Sequence, residues 1–446
     1  MSSRTLDMTK GRPAGLLIRF ALPLMAGNVF QQLYTVVDTM VVGKALGVGA
    51  LAALGACDWL YWLMLSMVQG LTQGFSVLMA QAFGAKEQER LRHVIGLSDL
   101  LCAVSTAILL VLGQCFMRPI LVLLQTPEAI LGNATLYLRI MCAGLPVIMA
   151  YNLFACILRS LGDSKTPLYA MITACIVNIG LDLLFVLFFR WGIAGAAAAS
   201  LIAQYSSALF CLARLSKMEE TRLHRAHFRL NWQLVYHLLR LGATMAFQFM
   251  IIAIGGLVVQ YVVNGFGVVF IAGFTATNKL YGILEIAATS FGFAIVTYVG
   301  QNLGAGRIDR IRLGQRSAYV LAIGTALVIT TLILLAGRPI LSSFISGTPE
   351  ESAAALDIAY RYLKVMSFGL PILYILYVAR SSLQGIGNAS YPFASGVAEL
   401  VTRVAVALIL PGILGKEGVF FAEVLAWVGA DLVLIPGWIV TLRKHT

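Results

Sequence analysis

Apolar residues run through this sequence in long stretches, not in the alternation of half-buried strands or the single stripes of soluble helices. About twelve stretches reach the length that spans a bilayer. Their centres lie near Met25, Leu65, Ser105, Val147, Ile179, Ser206, Ile251, Glu285, Ala326, Leu373, Val404 and Asp431. The expected fold is an all-α polytopic membrane protein of twelve transmembrane helices. Pro23, Pro146, Pro371 and Pro436 fall inside runs, where neighbouring helices can resatisfy freed backbone groups, and are expected kinks.

Composition narrows the class. Of 446 residues, 59% are hydrophobic and 12% charged, with a mean hydropathy of +0.87; soluble domains carry about 25% charged residues. Little chain is left for a soluble domain. No cleavable leader is expected, because the first run is too long for a signal sequence core. The net charge of +12 raises nucleic acid as a partner, and its distribution argues against that. Basic residues gather in alternate short loops: Arg4 to Arg19, Lys86 to Arg92, Arg159 with Lys165, Arg214 to Arg240, Arg307 to Arg316, Arg380, and Arg443 with Lys444. The opposite loops hold Lys44, Arg118, Arg190, Arg338 and Lys416. The positive-inside rule then puts both termini in the cytoplasm, in a cell inner membrane. The seven cysteines form no CxxC pair and are expected to be buried thiols, neither bridged nor metal-bound.

A repeat organises the runs. Gln81-Ala82-Phe83-Gly84-Ala85 returns as Gln301-Asn302-Leu303-Gly304-Ala305, Arg118-Pro119 as Arg338-Pro339, Thr126-Pro127-Glu128 as Thr348-Pro349-Glu350, and Gly144-Leu145-Pro146 as Gly369-Leu370-Pro371. The offset stays near 220 to 225 residues. Two homologous six-helix lobes are expected, 1–213 and 238–446, joined by a basic cytoplasmic linker, 214–237. Six spans per lobe make this a parallel repeat, and such halves commonly enclose a cleft that opens to alternate sides.

Polar residues inside the runs carry the candidate chemistry. Run 1 bears Asn28, Gln31, Gln32, Thr35 and Asp38 at helical spacing. A carboxylate there costs roughly 3 kcal/mol or more near the bilayer centre, so intramembrane acids mark ion or substrate paths by default. Run 5 bears Asn178 and Asp182, four apart on one face, and run 6 bears Ser200. At about 1.5 Å per residue, Asp38, Asp182 and Ser200 lie within roughly 6 to 15 Å of the outer boundary. Two carboxylates, an amide oxygen and a hydroxyl suit a hard cation or a proton; helix glue is the competing reading. Glu285 on run 8 shares a face with Asn278, Tyr281 and Thr289 and is a possible second acid. A carboxylate satisfied by Tyr or Thr hydroxyls is the alternative. Glu399 and Arg403 on run 11 read as an intrahelical ion pair. Arg403 takes the place of Asn178 in the repeat, which makes the halves unequal. Glu423, roughly aligned with Ser200, and Asp431 are weaker candidates. Ser66, Gln69, Gln73 and Ser76 on run 2, with the run 1 stripe that includes Gln31 and Tyr34, are candidates for lining a substrate cleft. Met64, Met67, Met250, Tyr281, Tyr374 and Tyr377 are candidates for an adaptable apolar surface.

No phosphate-binding loop or dinucleotide fingerprint is present, and His93, His224, His227, His237 and His445 lack metal-ligand spacing. An integral-membrane enzyme would need a catalytic cluster that the sequence does not show. No cofactor is expected beyond a coupling ion, and a monomer is expected.

The chain resembles the multidrug and toxic compound extrusion (MATE) transporters over nearly its whole length. The resemblance rests on Ala21-Leu22-Pro23 leading to Val37-Asp38-Thr39, on Gln81 to Ala85, on Arg159-Ser160-Leu161-Gly162-Asp163, and on Asn178 with Asp182. It is nearest to the prokaryotic branch whose amino-terminal lobe holds the coupling-cation site. It implies an antiporter that exports cationic or amphipathic organic compounds in exchange for sodium ions or protons. It further implies a V-shaped pair of lobes and a cation site of Asp38, Asn178, Asp182, the Ala196 carbonyl and Ser200, with Ser200 standing where the family has Thr. Asp38, Asn178 and Asp182 would be the sodium ligands, and Pro23 a gating kink. A flippase for lipid-linked precursors, from the wider superfamily, is the alternative; a cleft dense in Arg and Lys would favour it.

Overall fold

The computed structural model describes residues 5–124, 126–345 and 349–444; Thr348 and His445 lie outside them. The described residues form thirteen α-helices and no strand. These are α1 (Pro13–Leu46), α2 (Val48–Gly84), α3 (Gln88–Leu123), α4 (Glu128–Ala143), α5 (Leu145–Ser160), α6 (Lys165–Asp182), α7 (Ile193–Leu215), α8 (Trp232–Asn264), α9 (Val268–Gly304), α10 (Ile308–Ser342), α11 (Pro349–Ile386), α12 (Ser390–Leu414) and α13 (Phe421–Arg443). Among the described residues eleven helices are long and apolar enough to cross a membrane, and twelve spans result when α4 and α5 count as one.

The kink expected at Pro146 takes the form of a break between these two helices. α4 and α5 meet at Gly144 with a bend of 49°. Pro146 lies in the first turn of α5, where a missing N–H costs nothing. The matching Pro371 is absorbed inside the unbroken α11. α1 likewise continues through Pro23, and α13 through Pro436.

The chain divides into two compact units. One comprises Met1–Asp7 with Leu22–Ala246, the other Met8–Ala21 with Phe247–Thr446. α1 therefore changes unit between Ala21 and Leu22, beside Pro23, and α8 between Ala246 and Phe247. By its contacts the basic segment after α7 belongs to the first unit. There Arg92 donates to the Glu219 carbonyl at 2.9 Å, and His227 Nε2 lies 3.1 Å from Glu89 Oε2.

In the first unit α2 packs against α3, α4 and α5, and α6 against α7. Its core includes Phe75, Met79, Leu91, Leu97, Leu138 and Ile148, all essentially without exposure. Gly70 and Gly74 of α2 meet Ala246 and Gly242 of α8 so closely that a Cβ on either glycine would overlap the opposing backbone. In the second unit α11 packs on α9, α10 and α13. Phe274, Tyr362 and Phe420 stack with centroids 4.6 and 4.9 Å apart. Six of the seven cysteines are buried free thiols; Cys115 is free and exposed, a departure from the expectation that all are buried. Exposed aliphatic faces such as Val104, Ile108, Val111 and Leu112 on α3, or Val320, Leu327, Val328 and Leu335 on α10, are what a membrane helix gives to lipid.

Candidate functional site

The polar stripe of α1 brings Asp38, half-buried, toward the end of α6, where Asn178 and Asp182 are fully buried. Asp38 and Asp182 are neighbouring carboxyls, each in the electrostatic field of the other. Asn178 Nδ2 donates to Ser200 Oγ on α7 at 3.4 Å, and Ala196 is buried one turn earlier on that helix. α6 ends at Asp182 and continues as a π-helical segment, Leu183–Phe188, an irregularity frequent at functional sites. The acceptors here outnumber the donors. Asp38 Oδ1, Asn178 Oδ1 and both carboxylate oxygens of Asp182 are buried without a hydrogen-bond partner. Each unmatched buried polar atom costs about 1–3 kcal/mol, more when charged, so helix glue is a poor account of this cluster. Among the described residues no group of three or more His, Cys, Asp or Glu is placed to hold a metal ion. A cation here would draw on two carboxylates and neutral oxygens.

The second unit answers its acids with arginines. Glu399 on α12 accepts from Arg380 at 2.7 Å and from Arg403 at 2.8 Å, and Arg403 also meets Glu423 of α13 at 2.7 Å. Glu285 on α9 accepts from the Tyr377 hydroxyl at 2.5 Å. Thr289 turns back onto its own helix, to the Ile286 carbonyl at 3.0 Å, and Tyr281 stacks on Trp427. So a hydroxyl does satisfy Glu285, and it comes from α11 and not from the residues on its own face. Asp431 keeps one buried oxygen, Oδ1, without a partner.

The expected cleft stripe on α2 splits. Ser66 and Ser76 are buried and bond back to the Leu63 and Gln73 carbonyls, because a serine hydroxyl reaches its own helix before any neighbour. Gln69 is exposed and Gln73 half-buried; on α1 Gln31 is exposed and Tyr34 half-buried. Met64 and Tyr374 are buried packing residues, Tyr374 donating to the Leu284 carbonyl at 3.0 Å.

The MatE family model matches residues 23–184 and 244–409, once in each half and over most of the chain. The chain belongs to the MatE family. "Probable multidrug resistance protein YoeA" of Bacillus subtilis (strain 168) is 30% identical over 385 residues, 84% of this chain and 81% of that one. An "FAD transporter" of Shewanella oneidensis is 26% identical over 329 residues, 72% of this chain and 71% of that one. A solved structure described as the "Outward-facing conformation of a multidrug resistance MATE family transporter of the MOP superfamily" shares the fold. Its TM-score is 0.92 at 21% identity, with 100% of this chain and 99% of that one covered. This MatE protein is thus a multi-pass membrane protein of a multidrug efflux transporter family.

Three features of the MatE chain escape sequence reasoning. Tyr377 and Arg380 reach Glu285 and Glu399 across large sequence separations, and no local spacing signals such pairs. Asp58, on the exposed side of α2, was detectable as an acid inside an apolar run, the same signal that singled out Asp38.

Proposed function

We propose that this MatE protein is a secondary antiporter that exports cationic or amphipathic organic compounds against inward sodium ions or protons, coupled at Asp38 and Asp182. The observation that carries the reading is the set of four buried acceptor oxygens without donors. Two carboxylates this close repel when both are bare, and one positive charge removes the repulsion. A sodium ion would take Asp38 and Asp182, with Asn178 Oδ1, Ser200 Oγ and the Ala196 carbonyl completing an oxygen set suited to a hard cation. A proton would bridge the two carboxyls alone. Either occupant drives export if it binds one conformation better than the other. Glu285, already held by Tyr377, is a secondary acid in this scheme. Gln31, Tyr34, Gln69, Gln73 and Tyr281 are proposed substrate contacts, and Pro23 a gating position.

The proposal includes a monomer in the cell inner membrane, both termini cytoplasmic, with lobes at 1–213 and 238–446 and no resident cofactor. The flippase alternative needs unpaired basic residues to hold phosphates. Arg380 and Arg403 are instead neutralised by Glu399 and Glu423, which leaves that reading without support. Ethidium efflux from proteoliposomes under imposed sodium or pH gradients tests the proposal. Wild-type efflux is expected to follow one of the two gradients. Asp38→Asn and Asp182→Asn that insert normally and still export at the parental rate would refute the assignment.

A further inference from the structure

Asp58 on α2 is an acid that the proposed coupling pair does not use. It is exposed, and no described residue forms an ion pair with it. Gly47 turns α1 into α2; Asp38 lies nine residues before it (47 − 38) and Asp58 eleven after (58 − 47). The two acids therefore differ in height by about 3 Å along the helices.

The face that carries Asp58 is unlike a lipid-facing one. Gly55, Asp58, Trp62 and Gln69 recur at helical spacing and are all exposed. Among the described residues of α2, Trp62 is the only large hydrophobic side chain that is exposed, whereas α3 exposes Val104, Ile108, Val111, Leu112 and Phe116. An ionised acid on a lipid-facing stripe would be heavily penalised. A stripe of glycine, acid, indole and amide suits a polar surrounding better than acyl chains.

The repeat isolates what the charge is for. At an offset of 220 residues Asp58 corresponds to Asn278 and Tyr61 to Tyr281; at 225, Tyr137 corresponds to Tyr362. In the second unit the Tyr362 hydroxyl donates to Asn278 Oδ1 at 3.2 Å, tying α11 to α9. A neutral amide is thus enough for the structural task at this place. The first unit puts a negative charge there instead, beside an exposed indole four residues on.

We propose that Asp58 is the counter-charge for a hydrophobic organic cation, a protonated amine or quaternary ammonium, which lies against the ring of Trp62. A cation over an indole face adds attraction that a neutral ligand lacks. The inference rests on the exporter reading and names the charge class of its substrate, yet its test needs no ion gradient.

Ethidium binding to the purified full-length protein, followed by fluorescence anisotropy, is the experiment. Asp58→Asn installs the residue that the second unit already carries, so it is expected to elute monodisperse with parental Tm. Its ethidium Kd is expected to rise about tenfold, with Asp58→Glu recovering most of the loss. Trp62→Leu is expected to raise the Kd about threefold. Parental ethidium affinity in Asp58→Asn overturns the inference. So does an Asp58→Asn protein that fails to fold, since the charge would then be structural. If Asp38→Asn and Asp182→Asn leave efflux untouched, the coupling assignment falls and the ethidium result stands; if Asp58→Asn binds normally, this inference falls alone.

Discussion

In the first unit Asn178 on α6 donates to Ser200 on α7; in the second, the residues at those places in the repeat, Arg403 and Glu423, form an ion pair at 2.7 Å. One helix turn beyond Asn178 stands Asp182, and one turn beyond Arg403 stands Ala407, equally buried. The same crossing of two helices thus carries a bare acid in one unit and a fixed cation in the other. A built-in guanidinium permanently occupies the role that a mobile ion would play. The second unit gains cohesion from this, and its acids Glu399 and Glu423 are already neutralised by arginines.

That contrast can be broken from either side. The largest functional effect is expected from Asp182→Asn or Asp38→Asn. Removing one member of a desolvated charged set costs about 3 kcal/mol, so ion-driven ethidium efflux should fall roughly a hundredfold. Fold and Tm should hold, because the change removes a buried charge that has no donor. The opposite signature is expected from Arg403→Ala. It strands Glu423 and leaves Glu399 with Arg380 alone, and breaking a buried pair costs about 3–5 kcal/mol. A large drop in Tm of the purified protein is the readout, and unchanged stability would show that the arginine is not cohesive. Glu285→Gln should be milder, lowering efflux by less than about tenfold and leaving the ion dependence intact, since the amide still accepts from Tyr377. Altered ion dependence in that variant would move part of the coupling into the second unit. Smallest of all is Ser200→Thr, which keeps the hydroxyl and should leave efflux near wild type. Ser200→Ala loses one hydrogen bond, about 1 kcal/mol or roughly fivefold. Equal behaviour of the two variants would remove Ser200 from the site.

The architecture was legible because bilayer-spanning length is a coarse signal that survives boundary errors, and because motifs such as Gln81-Ala82 and Gln301-Asn302 preserve the repeat. Asn178 and Asp182 were legible because a helix fixes residues four apart on one face. Their approach to Ser200 and Asp38 required only relative depths. What stayed hidden depends on neighbours distant in sequence. The bend at Gly144 could not be told from the unbroken passage through Gly369, since both sites read Gly-Leu-Pro. Ser66 and Ser76 looked like cleft residues because a spacing argument cannot show a hydroxyl turning back to its own backbone. Asp58 stands about two helical turns ahead of the stripe that Ser66, Gln69, Gln73 and Ser76 form, so that stripe does not point to it.

The π-helical segment after Asp182 has a consequence of its own. Phe189 N–H reaches back five residues to the Leu184 carbonyl at 2.9 Å, and beyond it Phe185 stacks on Trp191 with centroids 4.7 Å apart. Tightening those bonds by one residue would swivel everything past the segment by about 100°. The Phe185–Trp191 stack would then have to part, which opposes rewinding of the helix that holds the bare acid.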